Sequence, residues 1–235
     1  MLAEKAYLFT PQIAALPVAG ATSRFPVRRL YCVGRNYVSH IREMKEGDER
    51  DPPFFFQKPA DALVFDGGTV PYPPATTDFQ YEVELVVAIG TAGAFIAVDD
   101  ALNHVYGYAI GIDMTRRDLQ REARERQLPW EPGKSFDHSA PCGPLFPKKD
   151  VGDIASSAIS LSVNGIPHQQ ADLKQMIWNV PEIIANLSKQ YRLEPGDLIF
   201  TGTPAGVGPV EVNDRIEATI GGLGSLSITI TSKEV

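Results

Sequence analysis

The sequence predicts an α+β, strand-rich fold with a few peripheral helices. Three observations carry that prediction. Short β-type segments recur along the chain ("RLYCVG", "PFFFQ", "YEVELVVAI", "VYGYAIGI", "ISLSVNGIPH", "DLIFTG", "DRIEATI" and "SLSITI"), many of them bounded by Gly, Pro or Asn. Helical periodicity is confined to a few stretches. The composition is that of a packed globule: 235 residues with 43% apolar side chains can bury one large core, and no repeat, low-complexity tract or linker-like break divides the chain. We therefore expect an irregular leader over residues 1–27 and a single domain over 28–235.

In chain order, the leader "MLAEKAYLFTPQIAALPVAG" is interrupted by Glu4, Pro11, Gln12 and Pro17, so it lacks the unbroken apolar core of a signal peptide. No later run approaches membrane-spanning length, and a cytoplasmic location is expected. After the turn at Gly34, "NYVSHIREMK" predicts a short helix. A second helix is predicted in "TRRDLQREARERQL", where Thr115 followed by Asp118 makes a plausible cap and Pro129 ends the run. In "SVNGIPH", Asn164–Gly165 signals a type I′ hairpin, because both central residues of that turn need positive φ. A third helix is predicted in "VPEIIANLSKQY", where Val180, Ile183, Ile184, Leu187 and Tyr191 share one face behind Asn179 as cap.

Charge narrows the functions. The formal net charge is −7 and basic residues cluster only in the mixed-sign "RRDLQREARER", so nothing suits a nucleic-acid backbone. The two cysteines, Cys32 in an apolar strand and Cys142 beside Gly143, have neither metal-motif spacing nor disulfide-scaffold density. Both read as packing residues.

One strand is anomalous. In "DFQYEVELVVAIG", alternation puts Glu82 and Glu84 on one face with Val86 and Ala88, and Tyr81, Val83, Leu85, Val87 and Ile89 on the other. Two ionised groups about 6.6 Å apart would repel by roughly 2.5 kcal/mol at an effective dielectric of 20. Either a half-exposed strand end leaves both in water, where screening removes most of the repulsion, or a divalent cation offsets it. Hard ions such as Mg²⁺, Mn²⁺ or Ca²⁺ take oxygen ligands of this kind.

A third carboxylate would favour the cation. Asp113, after "VYGYAIGI", is either a helix N-cap or, with Thr115 as the cap, free to face an ion. Spacing alone does not bring its strand beside the glutamates. In "GRNYVSHIREM", a helix would put His40 and Glu43 three apart on one face, as either a surface pair or a general-base arrangement. Lys134 in "EPGKSFDHSAP" reads as an ordinary lysine. The adjacent Asp137, His138 and Ser139 point in different directions and make no triad. The glycine-rich "TGTPAGVG" lacks a phosphate loop's Gly-Lys-Ser/Thr ending, but its backbone N–H groups and Thr203 could serve an anion.

Together "YCVGRNYVSHIREM", "FFFQKP", "YEVELVVAIG", "GYAIGIDMTRRDLQ", "PWEPGKSFD" and "LIFTGTPAGVG" resemble, in order, the fumarylacetoacetate hydrolase family, especially its short members that act on acylpyruvates. The resemblance covers roughly Arg28 to Ile230. It implies a mixed β-sandwich roll, a single catalytic domain and a homodimer. It also implies a metal held by Glu82, Glu84 and Asp113, with Mg²⁺ first and Mn²⁺ or Ca²⁺ as alternatives. His40 and Glu43 match the family's water-activating dyad, Lys134 its charge-stabilising lysine, and Arg117, Gln120 and Thr203 its substrate-lining positions. The implied reaction is hydrolysis of a carbon–carbon bond in a 2,4-dioxo acid, such as fumarylpyruvate to fumarate and pyruvate. Rival readings are acetylpyruvate hydrolysis, oxaloacetate decarboxylation, the isomerase or decarboxylase chemistry of homoprotocatechuate enzymes, and non-catalytic binding of a metal and a carboxylate.

Overall fold

The computed structural model describes residues 8, 10, 12–44 and 51–233. Strands dominate. One eight-stranded sheet runs Phe54–Lys58, Arg29–Gly34, Asp197–Phe200, Val83–Ile89, Val105–Ile112, Ala140–Cys142, Leu63–Phe65, with Phe146–Pro147 also paired to Val105–Ile112. It is mixed: Arg29–Gly34 is parallel to Asp197–Phe200 and antiparallel to Phe54–Lys58. A five-stranded sheet runs Ile166–Asp172, Ala158–Val163, Arg215–Ile220, Gly224–Thr231, Thr69–Pro71. The result is the curled, sheet-on-sheet roll that the family resemblance implies.

Alternation along Val83–Ile89 explains where the core lies. Val83, Leu85, Val87 and Ile89 join inward residues of the second sheet, such as Leu161, Ile216 and Ile228, in one large cluster. Val86 and Ala88 point the other way, into a smaller cluster with Leu30, Cys32, Leu198 and Phe200. Such a strand is buried on both faces and has to be apolar almost throughout. Both cysteines are fully buried in the smaller cluster as packing residues, and burial pushes both thiols up.

The stretch before Arg28 is less irregular than its sequence suggests. Ala15–Pro17 pairs with Arg24–Pro26, and Leu16 and Phe25 pack into the smaller cluster. The predicted hairpin turn forms, with φ of 52° at Asn164 and 79° at Gly165. Val180–Gln190 is a helix whose Asn179 side chain accepts from Glu182 N–H while the Glu182 side chain accepts from Asn179 N–H. Its Val180, Ile183, Ile184 and Leu187 pack into the large cluster. Val38–Met44 is the short helix after Gly34; Lys45, the last residue of the predicted segment, lies outside the described residues.

The middle helix differs in detail. It spans Arg117–Glu125 with no side-chain cap. Thr115 instead belongs to a two-residue strand paired with Phe79–Tyr81, and the Asp118 carboxylate accepts from Thr76 and Thr77 on that side. Neither Asp113 nor Thr115 caps the helix. No described helix is long and apolar enough to cross a membrane.

Candidate active site

The ladder decides what spacing left open. Glu82 sits at the break between Phe79–Tyr81 and Val83–Ile89, and Val83 lies opposite Ile112 in the antiparallel pair. Continuing that register sets Asp113 opposite Glu82, where Asp113 N–H donates to the Glu82 carbonyl at 2.8 Å. Glu82, Glu84 and Asp113 thus converge, with one carboxylate oxygen from each lying within 4.8 Å of the others. They are only 5%, 1% and 1% exposed, which overturns the reading of a wet strand end.

Buried carboxylates need counter-charge. Lys134 Nζ lies 3.0 Å from Glu82 Oε2 and 2.8 Å from Asp113 Oδ2, and donates to Thr115 Oγ1 at 2.7 Å. Arg117 donates to Glu82 Oε1 at 2.5 Å, to Gln120 Oε1 at 2.6 Å and to Gln80 Oε1 at 2.8 Å. Lys58 stands 2.8 Å from Asp113 Oδ1 and donates to the carbonyls of Met114 and Lys134.

The two glutamates differ sharply. Burial opposes ionisation of Glu82, but Lys134 and Arg117 outweigh it and hold the carboxyl below the usual carboxylate range. Glu84 is pushed well above that range, by burial first and then by Asp113 and Glu82. Its one hydrogen bond comes from Gly202 N–H at 2.8 Å, and among the described residues no cation stands within ion-pair distance of it. A buried all-oxygen donor set, with no cation paired to Glu84 among the described residues, fits a hard divalent cation.

His40, Arg117, Gln120, Lys134 and Thr203 line the same cavity as the three carboxylates. Glu43 stands behind His40, its Oε2 3.2 Å from His40 Nδ1, and it accepts from Gly206 N–H at 3.1 and 3.2 Å. All nine predicted site residues are therefore brought together, eight on the cavity wall and Glu43 one step behind. The discarded trio stays apart: Asp137 is exposed while Ser139 is fully buried.

Lys58, Asn36 and Gln169 escaped the sequence reading. Lys58 offered a weak signal, a lysine closing the apolar strand "FFFQ" before Pro59. Asn36 Nδ2 donates to the Thr201 and Trp178 carbonyls, at 2.8 and 2.9 Å, and ties "GRNY" to the "TGTPAGVG" loop. Only the tertiary fold reveals that.

Comparison with known proteins identifies this construction. The pattern described as fumarylacetoacetate (FAA) hydrolase C-terminal matches residues 29–231. The chain belongs to the fumarylacetoacetate hydrolase family. It is 46% identical to a fumarylpyruvate hydrolase from Ralstonia sp over 181 residues, 77% of this chain and 94% of that protein. It is 40% identical over 207 residues to the human mitochondrial oxaloacetate tautomerase FAHD1, covering 88% of this chain and 93% of that one. Among solved structures, the fumarylpyruvate hydrolase of Pseudomonas aeruginosa in complex with Mn²⁺ and pyruvate superimposes with a TM-score of 0.94 at 51% identity, covering 97% of this chain and 100% of that one.

Proposed function

We propose that this protein is a divalent-metal-dependent hydrolase of 2,4-dioxo acids that converts fumarylpyruvate and water to fumarate and pyruvate. The observation that carries the reading is the convergence of three buried carboxyl groups, with no cation paired to Glu84 among the described residues. Similarity to fumarylpyruvate hydrolases, one of them in complex with Mn²⁺ and pyruvate, supports it. Glu82, Glu84 and Asp113 would hold the ion, with Mg²⁺ as our first choice and Mn²⁺ or Ca²⁺ as alternatives.

When bound, the ion would supply Lewis-acid charge at the 2-oxo acid end of the substrate. The chain's own residues do the rest. His40 takes a proton from water, and Glu43, hydrogen-bonded to the far ring nitrogen, orients the imidazole and stabilises its protonated form. The resulting hydroxide adds to the carbonyl carbon at C4. Lys134, an ammonium held charged by Asp113 and Glu82 against the cost of burial, faces the developing oxyanion. Collapse breaks the C3–C4 bond, fumarate leaves, and C3 takes back the proton that His40 removed from water to give pyruvate. Arg117, Gln120 and Thr203 fix the substrate on the cavity wall. Arg117 is already committed to Glu82 and Gln120, so it is a rigid donor rather than a swinging arm.

Pyruvate release from fumarylpyruvate, followed with and without a chelator and in Glu82→Ala, tests the reading. Activity is expected to vanish in both treatments, and full turnover without metal would refute it. The tautomerase relative supports a second reading, enolisation of oxaloacetate, which, like the decarboxylation expected as an alternative, needs the same 2-oxo acid end but no attacking water. A His40→Ala enzyme that still processes oxaloacetate but no longer hydrolyses fumarylpyruvate would assign both reactions to one site.

A further inference from the structure

We infer that Gln169 is a positioning residue: its buried amide fastens the 201–206 loop to the Glu82–Glu84 segment and so sets the dyad against the carboxylates. What that alignment is for rests on the function proposed above. The need arises from the sheet. Val83–Ile89 is paired to Val105–Ile112 on one side, but on the other Asp197–Phe200 reaches only Val86–Ala88. Thr201 extends the contact by donating its N–H and its hydroxyl to the Leu85 carbonyl. The Val83 N–H, between the two glutamates, points to the same side where no strand remains. A buried N–H left unpaired there would destabilise the strand end.

Gln169, from the Ile166–Asp172 strand of the other sheet, fills the place. Its Oε1 accepts from Val83 N–H at 2.9 Å, and its Nε2 donates to Thr203 Oγ1 and to the Pro204 carbonyl, both at 2.8 Å. The residue is fully buried. One amide therefore joins the carboxylate-bearing backbone to the loop.

That loop serves both halves of the site. Gly202 N–H donates to Glu84, Thr203 lines the cavity, and Gly206 N–H donates to Glu43. The neighbouring His168 closes the grip: a Cβ on Gly206 would lie 2.1 Å from the His168 carbonyl oxygen, so the loop runs directly against this strand. A single strand of the second sheet thus governs the spacing between Glu84 and Glu43.

The test is Gln169→Met, which keeps the side chain's length and removes all three hydrogen bonds. In the metal-loaded protein without substrate, amide hydrogen exchange at Gly202 and Gly206 should rise by about tenfold or more, with the Val105–Ile112 strand unchanged. With fumarylpyruvate, kcat should fall about tenfold or more while KM moves by less than roughly threefold. Thr203→Val added to that background should cost less than it does alone, because one link is already broken. Unchanged exchange at both glycines overturns the inference, as does a kcat that holds while only the melting temperature falls. A wild type inert toward every 2,4-dioxo acid would count against the proposed reaction instead, and the exchange result would still decide the clamp. Should the methionine variant not fold, Gln169→Glu keeps the acceptor for Val83 and removes the donor; the same losses are expected, and full activity overturns the inference.

Discussion

The carboxylate trio and the His40–Glu43 pair meet at one cavity, yet they are built differently. Glu82, Glu84 and Asp113 are fixed by a continuous antiparallel ladder, and three buried cations surround two of them. The dyad rides on the seven-residue helix Val38–Met44, with the Glu43 side chain 34% exposed and held by one imidazole and one loop N–H. Damage to the trio should therefore change what the protein binds, whereas damage to the dyad should change only how fast it turns over.

The largest expected effect comes from Glu84→Gln. A direct ligand should matter more than the outer-shell partners whose loss costs about 10–100-fold in metal affinity, so Mn²⁺ binding by calorimetry should weaken by more than about 100-fold. The metal-free variant should nevertheless melt no lower than wild type, because the change removes a carboxyl that burial and two like charges disfavour. The sign with pH follows. A folded pKa raised above the unfolded one stabilises the metal-free fold at low pH, and that contribution is lost as pH rises through the folded value. Wild type should lose melting temperature relative to Glu84→Gln as pH rises above the ordinary carboxylate range. Unaltered Mn²⁺ affinity would break the contrast.

His40→Ala should lower kcat by about 10²–10⁴ while Mn²⁺ affinity stays within experimental scatter. Parallel loss of the ion would make His40 a ligand and erase the division between the two regions.

Gly206→Ala acts more mildly. At φ +99° and with His168 in the way, the methyl must shift the loop N–H away from Glu43. Burial pushes Glu43 up, but the His40 and Gly206 hydrogen bonds outweigh it and leave the carboxyl below its ordinary value. Losing the Gly206 bond should raise that pKa, moving the acid limb of kcat/KM to higher pH and cutting the plateau by about tenfold. An unmoved limb would show that the loop does not tune the dyad.

Least of all should change in Arg126→Ala. That residue pairs with Glu122 on an exposed helix face, so stability should stay within about 0.5 kcal/mol and kinetics should be unaffected.

Much of this was legible in sequence because strand alternation is local. The same-face placement of Glu82 and Glu84, the Asn164–Gly165 turn and the Asn179 cap each depend on a handful of neighbouring residues. What spacing alone could not show was long-range: Asp113 beside Glu82, which only the family resemblance implied, Lys58 beside Asp113, and Gln169 reaching Val83 across 86 positions. No periodicity encodes such meetings; the ladder and the closure of one sheet on the other create them. The capping expectation at Thr115 failed for a related reason, since pairing with Phe79–Tyr81 claimed that backbone for a strand.

The strand Asp197–Phe200 lies between Arg29–Gly34 and Val83–Ile89, so a segment synthesised late must slot between two made early. A nascent chain that stops short of Asp197 would hold an open seam at the middle of its main sheet, with edge groups free to pair with a neighbour's. Assembly of the pocket must then wait until the Asp197–Phe200 strand and the loop after it have been made, and slow, aggregation-sensitive refolding is the kinetic signature that such non-local pairing brings.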